Sequence, residues 1–220
     1  MVRTAAPLLL SVNGGYVDAA GFLALQGLFT SHVTGNFVTA GAAVVFGTTG
    51  VAAKLLALPV FAVVVALARI LGKAAMAGQP ARRWAVLLTL QLVLLLIGSI
   101  LAIGFGPFAN GDAAPAMLTG MVLVSGMAIQ NAVHRVHLAA FPPSTIMTGN
   151  TTQLVLDAVD VVLMRTGGDL AALRGRIGRT AAMVVCFAGG GVAAALTFWL
   201  GGMWCFVVPP ILVLGALWLG

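Results

Sequence analysis

Two copies of one tripeptide, Thr34-Gly35-Asn36 and Thr148-Gly149-Asn150, stand out in a chain with few polar residues. Threonine and asparagine can cap the free N–H groups that open a helix, and glycine permits a tight turn or a close backbone approach. A helix starting at such a turn presents donors and partial positive charge, which suits an anion, a carboxylate or another polar solute. Asp18 and His32 precede the first copy, and Gln130 and Asn131 precede the second. An aspartate at the centre of a membrane helix costs about 2.5–3.5 kcal/mol on insertion scales, so Asp18 is expected inside protein, paired with His32, protonated or in contact with a solute. The candidate binding set is therefore Asp18, His32, Thr34, Gly35 and Asn36 from the first half. Gln130, Asn131, Thr148, Gly149 and Asn150 complete it from the second. The competing readings are capping alone for the motif and a structural hydrogen bond for Asp18.

The elements that carry these residues belong in lipid. Of 220 residues, 61% are hydrophobic and 7% charged, against roughly a quarter charged in soluble domains. The length suits one membrane domain. The net charge of +6 comes from basic residues in the joints between apolar runs, which reads as positive-inside bias rather than as a nucleic-acid surface. The opening MVRTAAPLLL could pass for a signal peptide, but the apolar pattern continues through Leu28 without a clear cleavage site. Cys186 and Cys205 both fall in apolar runs and read as small core residues. No phosphate-binding loop, dinucleotide fingerprint, zinc spacing or nucleophile–base pair is present. No cofactor, no metal site and no enzymatic activity are expected.

Apolar segments cover 7–28, 33–47, 52–72, 84–106, 115–138, 146–164, 179–200 and 203–219. A span needs about 20 apolar residues, and 33–47 is short, while 146–164 carries Thr148, Asn150, Gln153, Asp157 and Asp160. If all eight crossed, the two strongest basic clusters, 73–83 and 165–179, would face opposite sides, against the positive-inside rule. If 33–47 and 146–164 instead enter and leave on one side, Arg3 and both clusters lie inside and Lys54 is the exception. The expected fold is thus an all-α polytopic membrane protein with six spanning helices and two re-entrant segments, both termini cytoplasmic. A seven-span version leaves Arg3 outside. The halves 1–110 and 111–220 each hold three spans and one re-entrant segment, so the second must be inverted, a recurrent transporter plan with its site near the midplane.

Smaller features carry their own expectations. Gly14 and Gly21 flank Asp18 as a stripe for close helix contact, and Gly189-Gly190-Gly191 reads as tight helix packing. Gln153, Asp157 and Asp160 share a helical face that either lines a cavity or exits at the interface, where Arg165 can neutralise it. Arg69, Arg135 and His137 read as interfacial, with His134 sharing a face with Gln130.

Gly15-Tyr16-Val17-Asp18-Ala19, Phe22-Leu23 and Ser31-His32-Val33-Thr34-Gly35-Asn36 resemble the signature of the YoaK-like family of bacterial inner-membrane proteins, a domain of unknown function. Gly126-Met127-Ala128-Ile129-Gln130-Asn131-Ala132 with Met147-Thr148-Gly149-Asn150 is similar to that family's second block. The resemblance spans essentially the whole chain and implies a multi-pass protein of the bacterial inner membrane, without supplying a substrate. From the residues themselves, the leading expectation is a secondary transporter of a small polar or anionic solute, with proton coupling through Asp18. The alternatives are a passive channel with paired half-helices and a non-transporting scaffold or sensor. The expected partners are the lipid bilayer and the solute, with no nucleic acid; a homo-oligomer is compatible with the chain.

Overall fold

The computed structural model describes residues 5–74, 78–163 and 170–219. Among them the chain forms eight α-helices and no strand. They are α1 (Ala5–Ala24), α2 (Gly35–Phe46), α3 (Val51–Ala74), α4 (Pro80–Phe105), α5 (Ala114–His137), α6 (Met147–Leu163), α7 (Leu170–Gly201) and α8 (Val208–Leu219), with a 3-10 turn at Gly202–Val207 joining the last two. Four stretches are long and apolar enough to cross a membrane: Val51–Lys73, Pro80–Phe105, Ala114–His137 and the fifty residues Leu170–Leu219. The last of these is broken by the 3-10 turn. Large apolar side chains stand exposed around the outside, including Val38, Val45 and Phe46 on α2, Trp199 (81% exposed) on α7 and Trp218 (85%) on α8. In water such a surface would aggregate. The molecule is a helical, membrane-like protein.

The helices sort by position as their composition demands. α1 and α5 carry the polar residues and are the most buried, with Ser11, Asn13 and Asp18 buried on α1 and Thr119, Gln130 and His134 on α5. α1 packs against α7 and α8, and α5 packs against α3 and α4. The short α2 lies on α3, and α6 lies on α7. At the centre, Gln130 joins four segments. Its Oε1 accepts from Asn13 Nδ2 and Gln91 Nε2, both at 2.8 Å, while its Nε2 donates to Leu10 O at 2.7 Å and to Ser144 Oγ at 3.2 Å. Buried polar groups need such partners because desolvation without them costs about 1–3 kcal/mol each.

One end of the bundle is closed by interlocked loops. Gln26 Nε2 donates to Phe108 O at 2.8 Å, and Gly111 N donates to Thr49 Oγ1 at 3.0 Å. Asp112 caps α3 from across the bundle, accepting from Gly50 N at 2.8 Å and from Val51 N and Ala53 N at 3.2 Å. The segment between residues 28 and 46 thus leaves this end, turns at Thr34 and returns to it. Lys54, a single basic residue near the expected outer face, is 3% exposed and donates to Thr49 O. Burial pushes the Asp112 carboxyl up, but the amides of Ala53, Gly50, Ala52 and Val51 outweigh it and hold it below the usual carboxylate range.

Close helix contact falls on glycines other than those expected beside Asp18. A Cβ at Gly15 would sit 1.9 Å from Phe187 O, and one at Gly190 would sit 2.1 Å from Val12 O, so α1 and α7 touch backbone to backbone. Gly14 and Gly21 instead face loops, at Ser144 O and Thr30 Cγ2. Of the triplet 189–191, Gly189 has nothing within 4 Å of its added Cβ.

Gly15→Ala and Gly190→Ala should each lower stability in detergent by about 1–3 kcal/mol or more, the usual cost of overpacking. Gly189→Ala should be neutral or stabilising by about 0.5–1 kcal/mol, because it lies in a helix with open space. Thermal unfolding of the three variants separates these outcomes. Because the Asp112 carboxyl is held low in the fold, its contribution is present above the unfolded carboxylate range, near pH 4, and is lost as pH falls through its depressed folded value. Asp112→Ala should therefore cost about 1 kcal/mol at pH 7, and its deficit against the parent should shrink on acidification towards pH 3.

Candidate functional site

The turn that precedes α2 is held by Asp18. Its Oδ1 accepts from the backbone amides of Thr30 and Ser31 at 2.8 Å and of His32 at 3.3 Å, and its Oδ2 faces His32 Nδ1 at 2.5 Å. The imidazole is wedged edge-on against Phe187 of α7, with ring centroids 5.4 Å apart. Asp18 and His32 thus form the pair expected from the sequence. The three amides show why the residue must be a strong acceptor: they belong to a non-helical turn inside the bundle, and Asp18 serves all three.

The motif side chains divide their work differently from simple capping. Thr34 has helical backbone angles and makes no side-chain cap hydrogen bond. Asn36 reaches back instead, accepting from Phe29 N and donating to Phe29 O, both at 2.8 Å. A carboxamide can do both at once because it copies the donor and acceptor of a peptide group. In the second motif Asn150 Nδ2 donates to Pro143 O at 2.7 Å, again seven residues back. Thr145 Oγ1 donates to Asn131 Oδ1 at 2.7 Å, fourteen residues back, the same separation as His32 from Asp18.

Both threonines of the motif, Thr34 and Thr148, are exposed to one cavity of about 930 Å³. Its deep part is polar, formed by Ser31, His32, Thr34, Asn131, Thr145 and Thr148. Its walls are apolar, including Phe61 and Val65 of α3, Leu87 of α4 and Ala132 and Val136 of α5. Its other end is basic: Arg69 from the last part of α3, Arg83 from the start of α4 and Arg135 from the end of α5. No carboxylate lines it among the described residues. Phe61 lies halfway along α3 and Gly72 near its end. At about 1.5 Å per residue, the cavity runs from the basic end of the bundle to its middle. Beyond it lie packed residues such as Leu25, Leu28, Ala57, Leu123 and Val124.

Of the ten candidate residues, His32, Thr34, Asn131 and Thr148 line this cavity. Asp18 sits behind His32, and Gln130 is fully buried in its hydrogen-bond network. Gly35 lies against the Phe29 ring, and Asn36 is buried in the turn. Gly149 and Asn150 border a second cavity of about 440 Å³ with Arg176 and Thr180. The three arginines were legible only as interfacial charges, because each lies at a different helix end and the sequence does not show that those ends converge. Asp157 is neutralised by Arg176 of α7, whose Nε donates at 2.6 Å, and accepts from Gln153 Nε2 at 2.7 Å, rather than lining the main cavity. Arg165, the expected partner of that face, lies outside the described residues. No group of three or more metal-ligating side chains occurs among the described residues.

Asp18→Ala should remove the acceptor for three amides and destabilise the protein by about 3 kcal/mol or more, at about 1–3 kcal/mol for each group left unpaired. Asp18→Asn keeps a carbonyl acceptor and should cost less than half of that. Equal losses for the two variants, measured by thermal or denaturant unfolding, would contradict a role in holding the turn.

No curated protein and no solved structure matches the chain. One family model covers nearly its full length, residues 6–219, consistent with the resemblance carried by the two motif blocks. The chain belongs to the family described as "Protein of unknown function (DUF1275)".

Proposed function

We propose that this protein is a secondary transporter for a small polar or anionic solute, working by alternating access between two inverted halves. The observation that carries the reading is the exposure of Thr34 and Thr148, one from each motif copy, to a single cavity that reaches the middle of the bundle from one end. Binding at a midplane meeting point of two interrupted helices is the common plan of inverted-repeat carriers.

The packing supports two related halves. Exchanging α1–α4 with α5–α8 turns the α1–α7 contact into α5–α3, α1–α8 into α5–α4, and α2–α3 into α6–α7, all of which occur. One hydrogen bond repeats in register: Asn36 donates to Phe29 O and Asn150 to Pro143 O, each seven residues back. In this reading α1, α3, α4, α5, α7 and α8 cross the membrane, α2 and α6 re-enter from opposite faces, and the basic end is cytoplasmic by the positive-inside rule. A cavity sealed at its far end favours a carrier over a continuous pore. It also disfavours a scaffold, whose centre has no need of an open polar space.

The test uses a Val65→Cys variant in a background with Cys186 and Cys205 replaced, reconstituted in one orientation. A carrier should let a membrane-impermeant maleimide reach position 65 from the basic face at once and from the opposite face slowly, without steady ion conductance. Labelling from the basic face alone would point to a static scaffold, and steady conductance to a channel; either result sinks the proposal.

A further inference from the structure

We infer that the cavity takes an organic anion with an apolar body: a carboxylate or phosphate head held by Arg69, Arg83 and Arg135, and a hydrophobic part lying along Phe61, Val65 and Val136. This deepens the transporter reading by naming the class of ligand, and it rests on that reading only for the word transport.

Charge sets the sign of the head group. Three arginines from three helices converge on one opening, and no carboxylate lines the cavity among the described residues. Guanidinium groups pair with planar carboxylates and with phosphate oxygens through two parallel hydrogen bonds, and their charge cannot be shed by deprotonation. Between apolar walls their field is screened less than in open water. The remaining polar surface adds no negative charge: Thr34, Asn131, Thr145 and Thr148 are neutral. The carboxylate of Asp18 is turned away, engaged by backbone amides and His32.

Volume and lining set the body. About 930 Å³ is far more than an inorganic ion fills and falls in the range of about 300–1,000 Å³ typical of organic ligand pockets. An inorganic anion would leave the stretch between the arginines and the threonines unoccupied, and that stretch is apolar. An anion free in solution and the head group of an anionic lipid whose chain enters between helices share this chemistry.

The test is calorimetric binding to the full chain in nanodiscs. The probes are 2-naphthoate, the neutral isostere 2-naphthamide and inorganic phosphate, in discs of phosphatidylcholine alone or with phosphatidylglycerol. In neutral discs, 2-naphthoate should bind at least about tenfold more tightly than either other probe, one lost charge-assisted contact being worth about that factor. Arg69→Gln and Arg135→Gln should each weaken it by about tenfold while eluting and melting as the parent does. Equal affinity in both kinds of disc would identify a soluble anion as the ligand. Affinity lost only with phosphatidylglycerol would identify the lipid head group. Either result supports the anionic site. Absence of 2-naphthoate binding to the folded parent, equal binding of the amide, or undiminished binding to both arginine variants would overturn it. Failure of position 65 to become accessible from the second face would overturn transport and leave this binding result standing.

Discussion

A carboxylate that gathers backbone amides makes the first half of this molecule possible. Between Ala24 and Gly35 the chain leaves helix geometry, doubles back and runs through the interior, and the exposed peptide groups of that turn would otherwise have no partner. Asp18 serves Thr30, Ser31 and His32 at once, and Asn36 serves both polar groups of Phe29. The position of α2 follows from this, and so does the wall of the cavity that Thr34 and His32 form. The cost of placing an aspartate among apolar helices is offset by the amides it satisfies, and its removal would expose several unpaired groups at once.

The arrangement of helices around that turn inverts the soluble pattern. The two helices richest in polar residues are central, and their apolar neighbours face outward. Gly15 and Gly190 bring α1 and α7 into backbone contact, as expected where lipid supplies no hydrophobic drive and helices must associate by fit. Gln130 then fixes the rotation of α5 relative to α1 and α4, since its amide meets partners from each. Rigid central packing beside an open cavity is what a binding site needs: a fixed wall and a space with defined chemistry.

Much of this was legible in the residues, for definite reasons. Most of the long apolar runs matched helices within a few residues, because a helix in lipid must satisfy its own backbone and so must be continuous; α7 begins nine residues before the run 179–200, and the run 203–219 opens in a 3-10 turn. The unusual character of 33–47 and 146–164 was visible as shortness and polarity. The burial of Asp18 inside protein followed from the cost of an isolated charge, with His32 one of several partners open to it. Three things were hidden. The role of Asn36 in binding backward, rather than capping forward, depends on the shape of the turn. The choice of Gly15 over Gly14 for helix contact depends on the rotation of α1, which composition leaves open because small residues occur on several sides of it. The convergence of Arg69, Arg83 and Arg135 depends on where three helix ends meet, and a residue at a helix end looks interfacial whether it faces lipid head groups or a cavity.

The two turns are not equals. Phe29 offers Asn36 both an N–H and a carbonyl, whereas Pro143, at the matching position, has no N–H to offer, and Asn150 donates only to its carbonyl. Asp18 draws three amides together, whereas the matching position in the second half is Ala132, and its neighbour Asn131 accepts from the Thr145 hydroxyl. Segments with fewer internal bonds open at lower free energy than their surroundings. The first turn is thus the more firmly tied of the two, and the second has fewer backbone amides to release before it opens.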